Sequence, residues 1–217
     1  MSLTLDRPWL RMDLGRPMRV LSWAPHGAGY TTAGAILWRE VKNADLTPGF
    51  DAESWLSAQM PEGAVGMLTS RDIGTHHQAR AEVEGIAVWC VATVGLSNAE
   101  SVGHRLPWHS ADYGTINLGI RLDAGLTEAA QLEAMSIAVQ ARTAGVISAG
   151  LMLATGPATG TGTDCVALAC DAGPGRYAGL HTPVGEALGA AVLQAVGQAS
   201  RAWVVWREAE RARRAGG

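Results

Sequence analysis

Runs of apolar residues alternate with glycine, proline and hydroxyl-rich breaks along the chain, and the changes of period mark its elements. Met18 to Trp23 reads as a strand after a proline-marked start, with Ala24 to Gly29 as the loop that follows. Thr31 to Val41 is moderately apolar and fits either a strand or a helix. Thr47 to Asp51 reads as a turn, and Asp51 is suited to cap a helix running to about Met60, which Pro61 to Gly63 breaks. Ala64 to Thr69 predicts a short strand and Ser70 to His77 a polar loop. Val83 to Val94, rich in β-branched and aromatic residues, predicts a central strand.

The second half continues the mixture. Ser101 to Tyr113 reads as a loop carrying His104, Trp108 and His109, and Gly114 to Arg121 as another strand. Thr127 caps a predicted helix to about Ala144, with apolar residues at helical spacing through Leu132, Met135, Ile137 and Val139. Cys165 to Cys170 predicts a strand, and Asp171 to Tyr177 a Gly/Pro turn. Pro183, at the favoured first helical position, opens a long helix to about Arg213. Glu210 and Arg214 there share the i, i+4 spacing of an exposed face. With no repeat and no linker, the expectation is one domain over residues 1–217, comprising an N-terminal extension (1–17) and a C-terminal helix (183–213). The fold class is α+β or layered α/β, a mixed sheet with two long helices.

Composition narrows the function classes. Hydrophobic residues make up 47% of the 217 and charged residues 17%, which suits a globular chain with a sizeable core. No window approaches the roughly 18 to 20 apolar residues of a membrane span, and the start lacks a signal-peptide core. Three cysteines, Cys90, Cys165 and Cys170, make neither a disulfide framework nor a zinc ribbon, so a cytoplasmic address with reduced thiols is expected. A net charge of −3 argues against nucleic acid as the main partner. Eight tryptophans against one phenylalanine would suit a pocket for a large flat ligand, or equally an ordinary core.

The densest chemistry lies in Thr155 to Asp164, four threonines, three glycines and an aspartate between two apolar runs. Glycine permits close backbone approach to a ligand, and the hydroxyls and carboxylate supply donors and acceptors. The ordinary alternative is a turn whose threonines satisfy their own backbone. A phosphate cradle fits poorly, because Asp164 would repel the anion and the one lysine, Lys42, is far away in sequence. Three more polar clusters sit at predicted element ends: Ser97-Asn98, Thr115 with Asn117, and His181 with Glu186. His181 is the best general acid or base by intrinsic pKa, or else merely flanks the cap Thr182. Glu186 lies four residues beyond Thr182, one too many for a capping box. The neighbours His76 and His77 would point to opposite faces of a strand, and no zinc motif completes a site with them.

In their order, these clusters resemble the adenosylcobinamide amidohydrolase family. The resemblance lies in Thr93 to Ala99, Gly114 to Asn117, Thr159 to Asp164 and Ala178 to Glu186, and spans roughly residues 18 to 200. It implies hydrolysis of the amide that joins aminopropanol to adenosylcobinamide, releasing adenosylcobyric acid and 1-amino-2-propanol in corrinoid salvage and remodelling. The chain departs from the family pattern at Pro25 and His26 and at Gln140 and Arg142. On this reading Asp164 and His181 form an acid/base pair with Glu186 orienting His181, while Thr161 or Thr163 is the competing nucleophile. Ser97, Asn98, Thr115, Asn117, Thr159, Gly160 and Gly162 would bind the substrate. The partner is a small-molecule corrinoid, with no nucleic acid and no membrane, and a homo-oligomer could form on the apolar face of the C-terminal helix. No resident cofactor is expected, and a divalent metal stays open. The alternatives are a corrinoid carrier that does not cleave, and a metal-dependent amidase on another substrate.

Overall fold

The runs 86–94 and 165–170 are apolar or small on both faces, and 116–122 is buried throughout although Asn117 and Arg121 fall on one of its faces, as expected of strands covered on both sides. A computed structural model of the chain describes residues 1–42, 49–105 and 114–216. The expected loop residues Trp108 and His109, and the Thr47-Pro48 part of the expected turn, lie outside them. The elements in order are β1 (Ser2–Asp6), β2 (Trp9–Ser22), β3 (Gly29–Glu40), α1 (Ala52–Ser57), β4 (Ala64–Thr69), β5 (His77–Val83), β6 (Ile86–Val94), β7 (Ala99–Glu100) and β8 (Ile116–Leu126). They continue with α2 (Glu128–Ile147), the two-residue pieces β9 (Met152–Leu153), β10 (Gly156–Pro157) and β11 (Gly160–Thr161), then β12 (Cys165–Ala172) and α3 (Pro183–Ala215). The main sheet runs β4-β3-β2-β12-β8-β6-β5, with β1 paired to β2. It is mixed: β3 with β4 and β8 with β12 are parallel, and the other pairs antiparallel.

Each face of the central strands has its own core. Ile116, Leu118, Ile120 and Leu122 point with Val166 and Leu168 toward α2 and α3. The interleaved residues of β6 and β12, among them Trp89, Val91, Ala167 and Ala169, meet Leu10, Met12, Ile36, Trp38 and Met67 on the opposite face. That second core exists because the sheet curls. The β2–β3 register shifts between Asp13 and Met18, and such a bulge bends a strand and sharpens its twist. Beyond it the first half of β2, with β1, β3 and β4, folds back over the sheet. The Trp38 ring then lies on the backbone of Gly119, where no side chain would fit.

Small residues let the two helices approach closely. A Cβ at Gly145 of α2 would come within 3.0 Å of Val196 of α3. The face of α3 expected to be free for a partner subunit is largely covered by the chain itself: Ala187, Leu188, Ala191, Ala195, Val196 and Trp203 are buried against α2, β5 and β6. Thr127 and Thr182 cap α2 and α3 as expected, accepting from Ala130 and Gly185. No helix among the described residues is long and apolar enough to cross a membrane.

Three expectations change. Residues 1–17 are no extension, since Leu10, Met12 and Leu14 of β2 are fully buried. The strand expected over Val83 to Val94 is β6 from Ile86 onward; Val83 ends the preceding strand β5, and the two join in a hairpin turning at Glu84 and Gly85 with φ of 49° and 80°. Positive φ at both central residues is the turn geometry that suits hairpin twist. On α2, Leu132 is 55% exposed while Gln131 is fully buried, because Gln131 bonds to Arg19 and to the Leu168 carbonyl. Gly119→Ala should lower stability by about 1–3 kcal/mol through overpacking against Trp38. A urea midpoint equal to wild type would contradict the curled packing.

Candidate functional site

One strand ends and two begin at one edge of the main sheet, and the curl brings the end of a fourth, β4, onto them. β6 ends at Val94, β8 starts after Thr115 and β12 after Asp164, and β4 ends at Thr69. Asp164 ties this edge together. Its Oδ1 accepts from the Ile116 amide at 3.0 Å and the Thr161 hydroxyl at 2.5 Å. Its Oδ2 accepts from the Thr161 amide at 3.0 Å and pairs with Arg142 of α2 at 2.9 Å. The Trp23 indole donates to its carbonyl at 2.5 Å. Gly160 is required beneath, since a Cβ there would lie 2.7 Å from Asp164 Oδ2.

The neighbouring bonds shape a wall. Thr115 Oγ1 lies 2.8 Å from the Thr163 carbonyl and 3.0 Å from Asn117 Oδ1, and can donate to either. Asn117, fully buried, donates from Nδ2 to the Leu68 carbonyl at 2.6 Å and so staples β4 to β8. Thr163 Oγ1 donates to the Gly114 carbonyl at 3.0 Å. Thr159 reaches the other way, bonding to Glu100 and accepting from the Val102 amide. A Cβ at Gly114 would meet Asn98 Oδ1 and the Gly95 carbonyl, each at 2.7 Å, so the 95–98 turn rests directly on this backbone. Asn98 Oδ1 is buried and has no hydrogen-bond partner among the described residues.

Beside this wall opens a cavity of about 310 Å³. Thr115, Thr163, Gly114 and Cys165 form one side, Leu68, Thr69 and Ser70 another, and Pro25, Val41, Phe50 and Ala52 the rim. Burial, with the Asp164 charge beside it, pushes the Cys165 thiol up to about 12, so this sulfur is a neutral wall atom. Among the described residues no three His, Cys, Asp or Glu side chains cluster as metal ligands, His76 and His77 included. The tryptophans serve mainly elsewhere: Trp38 and Trp203 are buried, and Trp9 and Trp55 stack on Arg39.

Three of the four motif clusters therefore meet at one edge. The fourth does not. Asp164 precedes the first residue of β12, an eight-residue strand spanning about 26 Å, and His181 follows its far end. There Ala178 donates to Glu133 in the second turn of α2, nine residues or about 13 Å of helix before Arg142. His181 and Glu186 are both exposed, with no hydrogen bond or ion pair between them. The expected acid/base pair of Asp164 and His181, oriented by Glu186, is thus not assembled. Thr182 and Pro183 explain that cluster as the start of α3. Gly162 is exposed and does not line the cavity. Sequence reasoning missed Thr69, Ser70 and Pro25 as lining residues. The one signal for them was a polar stretch directly after an apolar strand.

Burial raises the Asp164 carboxyl above its ordinary value of 3.8, against the pull of Arg142 and the bonds from Thr161 and Ile116. The native state therefore holds this proton to higher pH than the unfolded chain. The carboxyl's contribution to stability is complete below 3.8 and is lost as pH rises through the raised value. Removing the guanidinium with Arg142→Met raises the carboxyl further. The variant should nearly match wild type at acid pH and fall behind by about 3–5 kcal/mol toward neutral pH, as a buried charge loses its partner. Urea unfolding from mildly acid to neutral pH reads this; a gap independent of pH would remove Asp164 as its source.

Comparison with known proteins bears on what the edge is for. The family model described as adenosylcobinamide amidohydrolase matches residues 2–208. A curated relative of that name from Halobacterium salinarum is 35% identical over 132 residues, covering 57% of this chain and 54% of the relative. The aligned region spans about half the length of that curated relative. Among solved structures, the PH0078 protein from Pyrococcus horikoshii OT3 aligns with a TM-score of 0.42 at 10% identity, over 88% of this chain and 76% of that one. With the family model running through all four motif clusters, the chain belongs to the adenosylcobinamide amidohydrolase family.

Proposed function

We propose that the protein hydrolyses the amide between aminopropanol and the propionate arm of adenosylcobinamide, giving adenosylcobyric acid and 1-amino-2-propanol, an activity suited to corrinoid salvage. The observation that carries this reading is the convergence of Ser97-Asn98, Thr115-Asn117 and Thr159 to Asp164 beside one cavity, in a member of this family. Hydrolysis adds the oxygen of water, or first a hydroxyl of the protein, to the amide carbon. The C–N bond then breaks and the amine leaves with a proton.

Thr163 and Thr115 line the cavity, and their hydroxyl oxygens, whose protons go to protein acceptors, can accept from the attacking water and hold it. If a threonine attacks, Thr163 is the candidate, since it lines the cavity and Thr161 does not. Asp164 itself accepts from three donors and an arginine, which makes it the anchor of the loop more than a free base.

Mass spectrometry of adenosylcobinamide incubated with the protein should show adenosylcobyric acid with and without chelator. Product lost only on chelation would shift the mechanism to a metal, and bound but uncleaved corrinoid would favour a carrier. Thr163→Val and Thr115→Val should each lower kcat/KM by about tenfold or more. His181→Ala should stay within about twofold of wild type; a collapse of turnover in that variant would return His181 to the site.

A further inference from the structure

We infer that the cavity receives only the neutral amino-alcohol arm of the substrate, that Ser70 reads the hydroxyl of that arm, and that the corrin disc stays outside. The inference rests on the hydrolytic reading above and adds a specificity residue and a mode of access to it. Size is the first ground. A volume of about 310 Å³ is room for about ten waters. The propionamide arm with its amino alcohol has about as many non-hydrogen atoms, whereas the macrocycle is several times larger.

Charge is the second ground. Every described lining residue is neutral, and Cys165 is a thiol at ordinary pH. The nearest cations face elsewhere. Arg71, next to Ser70, lies with its guanidinium 4.4 Å from the centre of the Trp206 ring. Lys42, next to Val41, borders a different cavity together with Arg39, and Arg142 is spent on Asp164. A phosphate on the arm would enter a site with no described cation to meet it, at the cost of desolvating its charge.

The third ground is the state of the hydroxyls. Thr115 and Thr163 donate to the protein, and Thr69 Oγ1 accepts from the Arg71 amide. Ser70 is half-buried, lines the cavity and forms no hydrogen bond among the described residues. Its hydroxyl is free both to donate and to accept, which is what an alcohol needs from a partner. A site built around such a bond discriminates against the analogue that lacks it.

Three corrinoids test this: the hydroxypropyl amide, the propyl amide without the hydroxyl, and the hydroxypropyl amide carrying a phosphate on that hydroxyl. Wild type should cleave the first with a kcat/KM about tenfold above the second and further above the third. In Ser70→Ala the ratio between the first two should shrink below about twofold. The wild-type comparison needs no variant, so a misfolded Ser70→Ala leaves the inference open to refutation. Turnover of all three at equal rates, or an unchanged ratio in a folded Ser70→Ala, overturns the inference and spares the hydrolase reading. No turnover of any of them overturns both.

Discussion

A carboxylate held almost out of water, with an arginine from a helix and three donors from Ile116 and Thr161 upon it, is the constraint on which this edge of the molecule depends. Asp164 alone connects the start of β12, the start of β8, the glycine-rich turn and α2. Such a group has a high desolvation cost, and it is tolerable only because each oxygen is occupied. The geometry of Thr163 and Thr115 follows from it, since both sit on backbone that Asp164 fixes. A residue with every look of a catalytic acid thus serves the site by immobilising it.

The same logic of close approach governs the body of the fold. Glycine at 119 admits the Trp38 ring, glycine at 145 admits α3, and glycine at 114 admits the 95–98 turn. The high glycine and alanine content of the chain is a condition of layers set this near to one another, where dispersion attraction acts along their whole length.

Much of this architecture was legible in the sequence, and the misses have physical causes. Thr127, Thr182 and Pro183 announced their helices because capping is local chemistry. The hairpin at Glu84-Gly85 was missed because its first strand, His77 to Val83, is largely polar and half exposed and so carries a weak strand pattern. The 1–17 segment was misjudged because the burial of Leu10 and Met12 depends on the curl of the sheet, which no local pattern encodes. At the site, the clusters around Asn98, Thr115 and Thr163 could be read as element ends. Sequence proximity to a motif said nothing of which end of β12 a residue would occupy, and His181 fell at the wrong one. Arg142 was visible only as a departure from a family pattern, with no sign of the carboxylate it would meet.

The curl of the sheet also decides when the site can exist. The cavity walls come from residues near 25, 41, 50, 70, 115 and 165, brought together only after β2 bends and β4 crosses onto β8. Contacts of such long sequence separation each carry the entropy of closing a large loop. Binding competence therefore belongs to the finished chain and to no fragment of it. A fluctuation that frees β4 from Asn117 would dissolve the cavity while leaving both helices and the central strands in place.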